Sequence, residues 1–176
     1  MESYIHTSVI PVYANTHTET SFTGCATTIL REDARATIAK AVHCNDNDVV
    51  LFTGNGSTNA INDFTKMIEI DKKCKKSNSN DLPLVLTSGY EHHSNLLPWR
   101  ELGAEVMTIR ESATSGAVDL DELKRVLIKY RKRTTIIGSF SAGSNVTGVC
   151  SDVSSIAILL HQYGRMACFD YACVGP

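Results

Sequence analysis

The sequence predicts an α/β protein with a mainly parallel sheet and helices on both faces, in three layers. Three observations support this class. Short apolar runs recur along the chain, segments with helical spacing lie between them, and turn or capping residues stand at the boundaries. Most of the runs are continuous rather than alternating, as expected for strands that are covered on both faces. We expect residues 1–176 to form a single domain.

The strands and helices are predicted to alternate in a β-α-β order, which favours parallel pairing. The predicted strands cover residues 49–52, 84–86, 106–109, 134–140 and 166–169. The predicted helices cover residues 26–42, 60–68, 120–130 and 153–163, the last three on the basis of an apolar stripe at helical spacing. Residues 72–83 are interpreted as an insertion-like loop.

Capping residues support two of these helices. Asp119 is suited to begin the helix over residues 120–130, and Glu122 lies at the spacing of a capping box. Ser151 or Asp152 can begin the next helix, and Gly164 stands where a C-terminal glycine ends one.

Composition and charge exclude several classes of function. The chain is 43% hydrophobic and 20% charged, and its 17 basic and 19 acidic residues give a net charge of -2. We therefore expect neither nucleic acid nor a membrane as partner. A short basic run at residues 72–76 is interpreted as a solvated loop.

The six cysteines form no C-x-x-C pair, and the chain begins without a signal-like segment, so we expect a cytoplasmic location.

The first candidate site follows the run at residues 49–52. Two glycines and two hydroxyls, within Gly54-Asn55-Gly56-Ser57-Thr58, lead directly into a predicted helix. Small residues let the backbone approach an anion, which the first amides and the dipole of a helix then stabilise. The spacing matches neither a Walker A loop nor a complete G-x-G-x-x-G. This segment alone leaves phosphate binding and a plain capped turn as alternatives.

The second candidate site is the pair His92-His93, after the run at residues 84–86. Adjacent histidines can ligate a metal, but no third ligand follows at a helical or hairpin offset, so we expect no metal. Stacking on a planar ligand, or carrying a proton, is the preferred interpretation. The alternative is a histidine that bonds to a loop carbonyl.

Two further candidates follow the last two runs. Asn145 lies in the polar segment 141–148, and Asp170 lies at the tip of the run at residues 166–169. A carboxylate at the end of a buried strand requires a partner. That partner is either the end of a neighbouring helix or a protonated ring nitrogen. Because ligands of open α/β sheets bind beyond the carboxyl ends of the strands, we expect all these segments to meet there.

Together and in this order, the segments resemble the class V aminotransferase family, which includes the cysteine desulfurases. The resemblance extends from about residue 11 to residue 176. Its most specific part is residues 91–99, a run that is similar to cysteine desulfurases almost throughout. The other matching segments are residues 13–17, 22–24, 34–39, 56–62, 145–148 and 170–172.

The resemblance implies pyridoxal 5'-phosphate as the cofactor and assigns its phosphate to the first site. Gly56, Ser57 and Thr58 would hold the phosphate group. His92 would stack on the pyridine ring and act as a catalytic residue by moving protons.

The same resemblance assigns the remaining contacts of the ring. Asn145 would bond the phenolic oxygen, Asp170 would pair with the ring nitrogen, and Ala172 would pack against the opposite face. Where the family commonly has a glutamine near the phenolic oxygen, this sequence has Cys173. Asn59 stands where many members have glutamate.

The resemblance also predicts what this stretch of sequence lacks. In the family, the Schiff-base lysine follows the aspartate strand by a further strand, and Lys40, Lys66, Lys124 and Lys129 do not occupy that position. We therefore expect an incomplete pyridoxal-phosphate-binding large domain, without the N-terminal segment, the lysine strand and the C-terminal small domain.

Two interpretations of function stay open. In the first, the chain is part of a homodimeric enzyme that acts on an amino acid, either by transamination or by removing sulfur from cysteine. In the second, it is a short non-catalytic protein that binds pyridoxal phosphate or a partner chain. A dinucleotide enzyme is disfavoured because the third glycine of its fingerprint is missing.

Overall fold

A computed structural model describes residues 1–78 and 80–175 of the chain. They form two compact units, Met1–Phe52 and Thr53–Gly175. No described helix combines the length and the apolar character that crossing a bilayer requires. The second unit contains the sheet and every candidate site residue.

The first unit is helical. Its elements are α1 (Glu2–Tyr4), a π-helical turn (Ile5–Val9), a 3-10 turn (Ile10–Val12) and α2 (Phe22–Ala41). Ser21 begins α2 by accepting a hydrogen bond from the amide of Gly24 at 3.2 Å. The Thr27 hydroxyl on α2 accepts a hydrogen bond from the amide of Ala14 at 2.9 Å, which ties the N-terminal segment to the helix.

The strand predicted at residues 49–52 is wrong. Residues 49–52 have no regular secondary structure and pair with none of the described strands. Val49, Leu51 and Phe52 are exposed, at 76%, 56% and 44%. A strand needs a neighbour for its backbone N–H and C=O groups, and an apolar run does not supply one by itself.

The second unit alternates strands and helices. Its elements are α3 (Gly56–Met67), α4 (Ile70–Lys76), β1 (Leu84–Thr87), a 3-10 turn (His93–Asn95), α5 (Leu97–Glu101), β2 (Glu105–Thr108), α6 (Leu120–Lys129), β3 (Ile136–Ser141), α7 (Val153–Gln162) and β4 (Met166–Asp170). Four predicted strands are thus confirmed, as are the predicted helices. Residues 72–83 were predicted to be a loop, but α4 extends into them because Ile70 anchors its first turn in the core, fully buried. Ser79, within that loop, lies outside the described residues.

The sheet is parallel throughout, in the order β2-β1-β3-β4. Parallel strands are joined by crossovers, so the four carboxyl ends lie at the same edge of the sheet. β4 pairs with β3 on one side, with Ser141 opposite Asp170 at the last position. This register places the segments that follow β1, β3 and β4 next to one another.

Helices cover both faces of the sheet, which confirms the three-layer class. Leu84 and Leu86 of β1 pack on one face in a buried cluster with residues of α6 and α7. Val85, between them, points to the opposite face and packs with Ile70 of α4 and Trp99 of α5. Alternate residues of one strand therefore supply two separate cores, which explains why the run is continuously apolar.

Candidate functional site

The loop before α3 offers backbone amides. Asn55 adopts a left-handed conformation with φ of 56°, and its side chain makes no capping hydrogen bond to the helix. Gly56, at φ of 69°, follows directly, and a Cβ there would meet no atom within 4 Å. The N-terminal amides of α3 are thus left without a side-chain cap beside open space. Such a helix end favours an anion.

His92 lies in the loop that follows β1, with its ring exposed. The histidine begins the 3-10 turn, because its Nδ1 accepts a hydrogen bond from the backbone amide of Ser94 at 3.2 Å. The Ser94 hydroxyl lies 2.9 Å from the same nitrogen. It also lies 2.7 Å from the hydroxyl of Thr58 on α3. The loop after β1 and the first turn of α3 are therefore joined by hydroxyl groups.

Glu91 holds the loop of His92 in place. One carboxylate oxygen accepts from the amide and hydroxyl of Ser88, at 3.2 and 2.6 Å, and from the amide of Ser141, at 2.8 Å. The other accepts from the side chains of Asn95 and Ser141, both at 2.7 Å. Five donors from three segments thus surround one half-buried carboxylate. Glu91 connects the carboxyl ends of β1 and β3 to the 3-10 turn.

The segment after β3 forms a tight turn that carries Asn145. The Ser144 hydroxyl accepts from the amides of Val146 and Thr147, at 3.2 and 3.1 Å. An isolated bridge between Gly143 and Cys150 closes the base of the turn. Asn145 is exposed at its start, beside the loop that carries His92.

Asp170 ends β4 next to this turn. Its backbone carbonyl accepts from the amide of Ala142 at 2.9 Å, and its carboxylate accepts from the amide of Ala172 at 2.9 Å. The half-buried carboxylate therefore bends the chain after β4, and it accepts no other hydrogen bond from the described residues.

All seven residues that were singled out from the sequence line one cavity of about 280 Å³. They are Gly56, Ser57, Thr58, His92, Asn145, Asp170 and Ala172. Sequence reasoning missed Ser94, Ser141 and Gly143, which line it too. Each of these three residues lies within a segment that the sequence had already indicated, so proximity in sequence to a predicted site residue could have identified it. What each of the seven residues does at this cavity stays a prediction.

A second cavity of about 360 Å³ shares only Asp170 with the first. Its lining is largely apolar and includes Phe64, Trp99 and Cys168. Burial raises the pKa of the Cys168 thiol to about 12. An uncharged thiol in an apolar wall is a packing group rather than a nucleophile.

His92 and His93 do not belong to a larger group of potential metal ligands among the described residues. The rings of His92 and His93 lie 6.2 Å apart between centroids, at a tilt of 49°. Within residues 1–78 and 80–175, no group of three or more histidine, cysteine, aspartate or glutamate side chains is placed to hold a metal ion.

Comparison with known proteins identifies one family whose model matches this chain. The family model described as aminotransferase class-V matches residues 5–174. Similar curated proteins include a probable cysteine desulfurase of Pseudomonas aeruginosa, 30% identical over 162 residues, which covers 90% of this chain and 37% of the relative. Another is a cysteine desulfurase of Plasmodium falciparum, 40% identical over 126 residues, which covers 71% of this chain and 22% of the relative.

A solved structure supports the same fold. The apo structure of a cysteine desulfurase from Thermococcus onnurineus superposes with a TM-score of 0.72 at 22% identity, over 96% of this chain and 38% of that one. The chain therefore spans only between 22% and 38% of the length of these proteins.

Proposed function

Because the chain belongs to the class V aminotransferase family, we propose that the 280 Å³ cavity at the carboxyl edge of its sheet binds pyridoxal 5'-phosphate. One observation carries the proposal. Seven residues from four separate segments, each identified from the sequence, line one cavity. The other lining residues are all small or short, namely Asn55, Ser94, Ser141, Gly143 and Cys173, which leaves room for a ring.

The chemistry of the lining residues fits the phosphate group. The group is an anion with acceptor oxygens only, and the uncapped first turn of α3 presents amides to one side of the cavity. Ser57 and Thr58 add two hydroxyl donors. No lysine or arginine side chain lines the cavity among the described residues, so the helix end is the main source of positive potential.

The remaining lining residues fit the ring. His92 offers a flat face, and Ala172 is small enough to leave room on the other side of the ring. Asn145 supplies an amide for the phenolic oxygen, and Asp170 supplies a carboxylate for the ring nitrogen. When bound, the cofactor supplies an electron sink, and a carboxylate that keeps the nitrogen protonated strengthens it.

The whole protein's reaction is a second part of the proposal. The relatives named cysteine desulfurase support an amino-acid substrate for an enzyme that contains this chain. His92, which lines the cavity and is exposed, is the residue that we propose moves protons there. We propose a homodimer for such an enzyme on the basis of the family alone.

A second candidate function is binding without catalysis. It is favoured by the lining of the cavity, which includes no lysine amine among the described residues. A protein of this kind would bind pyridoxal phosphate or a partner chain and turn over no amino acid.

The test is a titration of the chain with pyridoxal phosphate, followed by absorbance and by quenching of its one tryptophan, Trp99. Pyridoxal, which lacks the phosphate, should bind at least ~10-fold more weakly, the ratio expected when one charged hydrogen-bonding group is lost. Ser57→Ala and Asp170→Asn should each weaken binding several-fold. Ser154→Ala is the matched control for Ser57→Ala, because Ser154 is likewise the second residue of its helix, α7.

Each outcome of the titration is decisive. Saturable binding that depends on the phosphate and on Ser57 and Asp170 supports the site. Equal affinity for pyridoxal and its phosphate would exclude the phosphate loop. Release of sulfide or alanine from cysteine is then measured with the protein captured from its source cells, because the first candidate function assigns turnover to an enzyme that contains this chain and the second predicts none.

A further inference from the structure

A chain of hydroxyl groups connects the anion loop to His92. Thr58 of α3 lies 2.7 Å from Ser94, and Ser94 lies 2.9 Å from Nδ1 of His92. The backbone amide of Ser94 donates to the same nitrogen at 3.2 Å. One serine thus contacts the imidazole twice and the first turn of α3 once.

These contacts determine where the imidazole carries its proton. A backbone N–H can only donate, so Nδ1 of His92 must be an acceptor. The neutral ring then carries its proton on Nε2. The Ser94 hydroxyl adds a second donor to Nδ1 and leaves its oxygen to accept from Thr58. Other described residues make no hydrogen bond to this ring, although Asp170 and Cys173 share the cavity with it.

We propose that Ser94 is a positioning residue that holds His92 in the Nε2–H tautomer and connects Nδ1 to the hydroxyl of Thr58. The proposal rests on the proposed function, in which His92 moves protons and Thr58 binds phosphate. In this tautomer, Nε2–H carries the only ring proton that a neutral His92 can donate. The two contacts from Ser94 to Nδ1 determine that the proton lies on Nε2.

The connection has a direct consequence for an occupied anion loop. Thr58 has one hydroxyl proton, and a phosphate oxygen accepts hydrogen bonds but cannot return one. When Thr58 donates to an anion, its oxygen accepts from Ser94 instead. The Ser94 proton then turns away from His92, and Nδ1 keeps only the amide of Ser94. Filling the loop therefore loosens the hold on Nδ1 and moves the balance of the two neutral tautomers toward Nδ1–H.

The experiment is ¹⁵N NMR of the histidine ring in the full chain, which distinguishes a protonated from an unprotonated Nδ1. The chain without ligand should show Nδ1 of His92 unprotonated. Ser94→Ala keeps the backbone amide and loses the hydroxyl, so the ratio of the two tautomers should move toward Nδ1–H by roughly 3- to 10-fold, the effect of one hydrogen bond. Ser94→Thr keeps a hydroxyl and should restore the original ratio.

A matched control is Ser112→Ala. Ser112 is also half-buried and also pairs its hydroxyl with a threonine, Thr114, at 3.0 Å. This substitution should leave the tautomer of His92 unchanged. A chain with Nδ1 protonated, or a ratio that is the same in Ser94→Ala, would overturn the assignment of Ser94. Because Ser94→Thr and Ser112→Ala are mild changes, a folding defect in one variant does not remove the test.

Pyridoxal phosphate is then added to the same samples. The ratio should move toward Nδ1–H in the original chain and much less in Ser94→Ala. An equal change in both would overturn the connection to the anion loop. Absence of binding would instead overturn the proposed function, while the comparison without ligand still decides the role of Ser94.

Discussion

Glu91 illustrates how one residue joins parts of the chain that are distant in sequence. Its carboxylate receives donors from Ser88, Asn95 and Ser141, the last 50 residues away. Asn95 in turn accepts from Ser139 and Trp99. The motif of residues 91–99 was matched through its resemblance to a family. The structure adds a physical reason for its glutamate, which no local pattern indicated.

Glu91→Gln should destabilise the second unit by roughly 2–4 kcal/mol. A glutamine offers one acceptor oxygen instead of two, and its NH₂ group faces donors that then lose their partner. Urea unfolding followed by the fluorescence of Trp99, which bonds to Asn95 in this network, measures the change.

The control for this substitution is Glu101→Gln, on the exposed end of α5. We expect it to change the free energy of unfolding by less than ~0.5 kcal/mol, as for surface substitutions in general. Similar losses for Glu91→Gln and Glu101→Gln would show that the five hydrogen bonds contribute little.

Cys168 should be less reactive than the exposed cysteines of the chain. Burial raises its pKa from 9.0 to about 12, so its thiolate fraction at pH 8 is roughly a thousandfold lower than that of an ordinary thiol. Cys150 and Cys173 are exposed. Iodoacetamide at pH 8 should modify these two first, as read by peptide mass spectrometry.

The raised pKa of Cys168 also predicts how this thiol affects stability at alkaline pH. An unfolded chain ionises the thiol near 9.0, whereas the folded chain keeps it neutral up to about 12. The stability that the neutral thiol contributes is therefore complete below pH 9 and is lost as the pH rises toward 12.

The control for the labelling experiment is the same reaction in urea, which should abolish the difference in rate between the cysteines. Equal rates of modification in the folded chain would contradict the burial of Cys168.

At the scale of elements, helix α6 shows which local signals were reliable. Asp119 caps it as predicted, by accepting from the amides of Asp121 and Glu122 at 2.9 and 3.0 Å. The capping box itself does not form. Glu122 instead accepts from the amide and side chain of Arg110, at 2.7 and 3.1 Å, since the chain before the helix brings that arginine within reach.

Asp119→Ala should therefore lower the free energy of unfolding by about 1 kcal/mol, because two amides of α6 lose their acceptor. Asp121→Ala is the matched control, since it removes the same charge from the same turn without removing the cap. Urea unfolding at low protein concentration, followed by circular dichroism, compares the free energies of unfolding of the two variants. An equal loss in both would indicate that charge rather than capping stabilises this end.

At the scale of the whole molecule, large apolar side chains are exposed in both units. Phe22 and Val49 are 79% and 76% exposed in the first unit, and Met67 and Val146 are 65% and 85% exposed in the second. Large apolar side chains that are exposed to this extent favour association. Among the described strands, β4 lies at the end of the sheet, so its outer edge presents backbone groups that no described strand pairs with.

We therefore expect the 176-residue chain to associate with rising concentration and to melt irreversibly. Light scattering after size exclusion, at several concentrations, measures the mass of the particles. A dye that fluoresces on apolar surfaces should bind the folded chain. A monomer at every concentration with a cooperative, reversible melt would refute this expectation.

Much of the fold and the site was predictable from the sequence alone. The strands β1 to β4, the main helices and the capping aspartates follow from periodicity and from residue types at their ends, which reflect burial and hydrogen bonding over a few neighbours. The motifs, through the family resemblance that they carry in this order, singled out seven residues that line one cavity.

Tertiary structure alone decided what depends on contacts between distant residues. It set the order β2-β1-β3-β4 and left residues 49–52 without a neighbouring strand, although their composition resembles that of β1. It also brought Thr58, Ser94 and His92 into one hydrogen-bonded chain. Side-chain periodicity reports which face of an element is buried, but not which element covers it, and for that reason pairing and proton positions had to come from the folded chain.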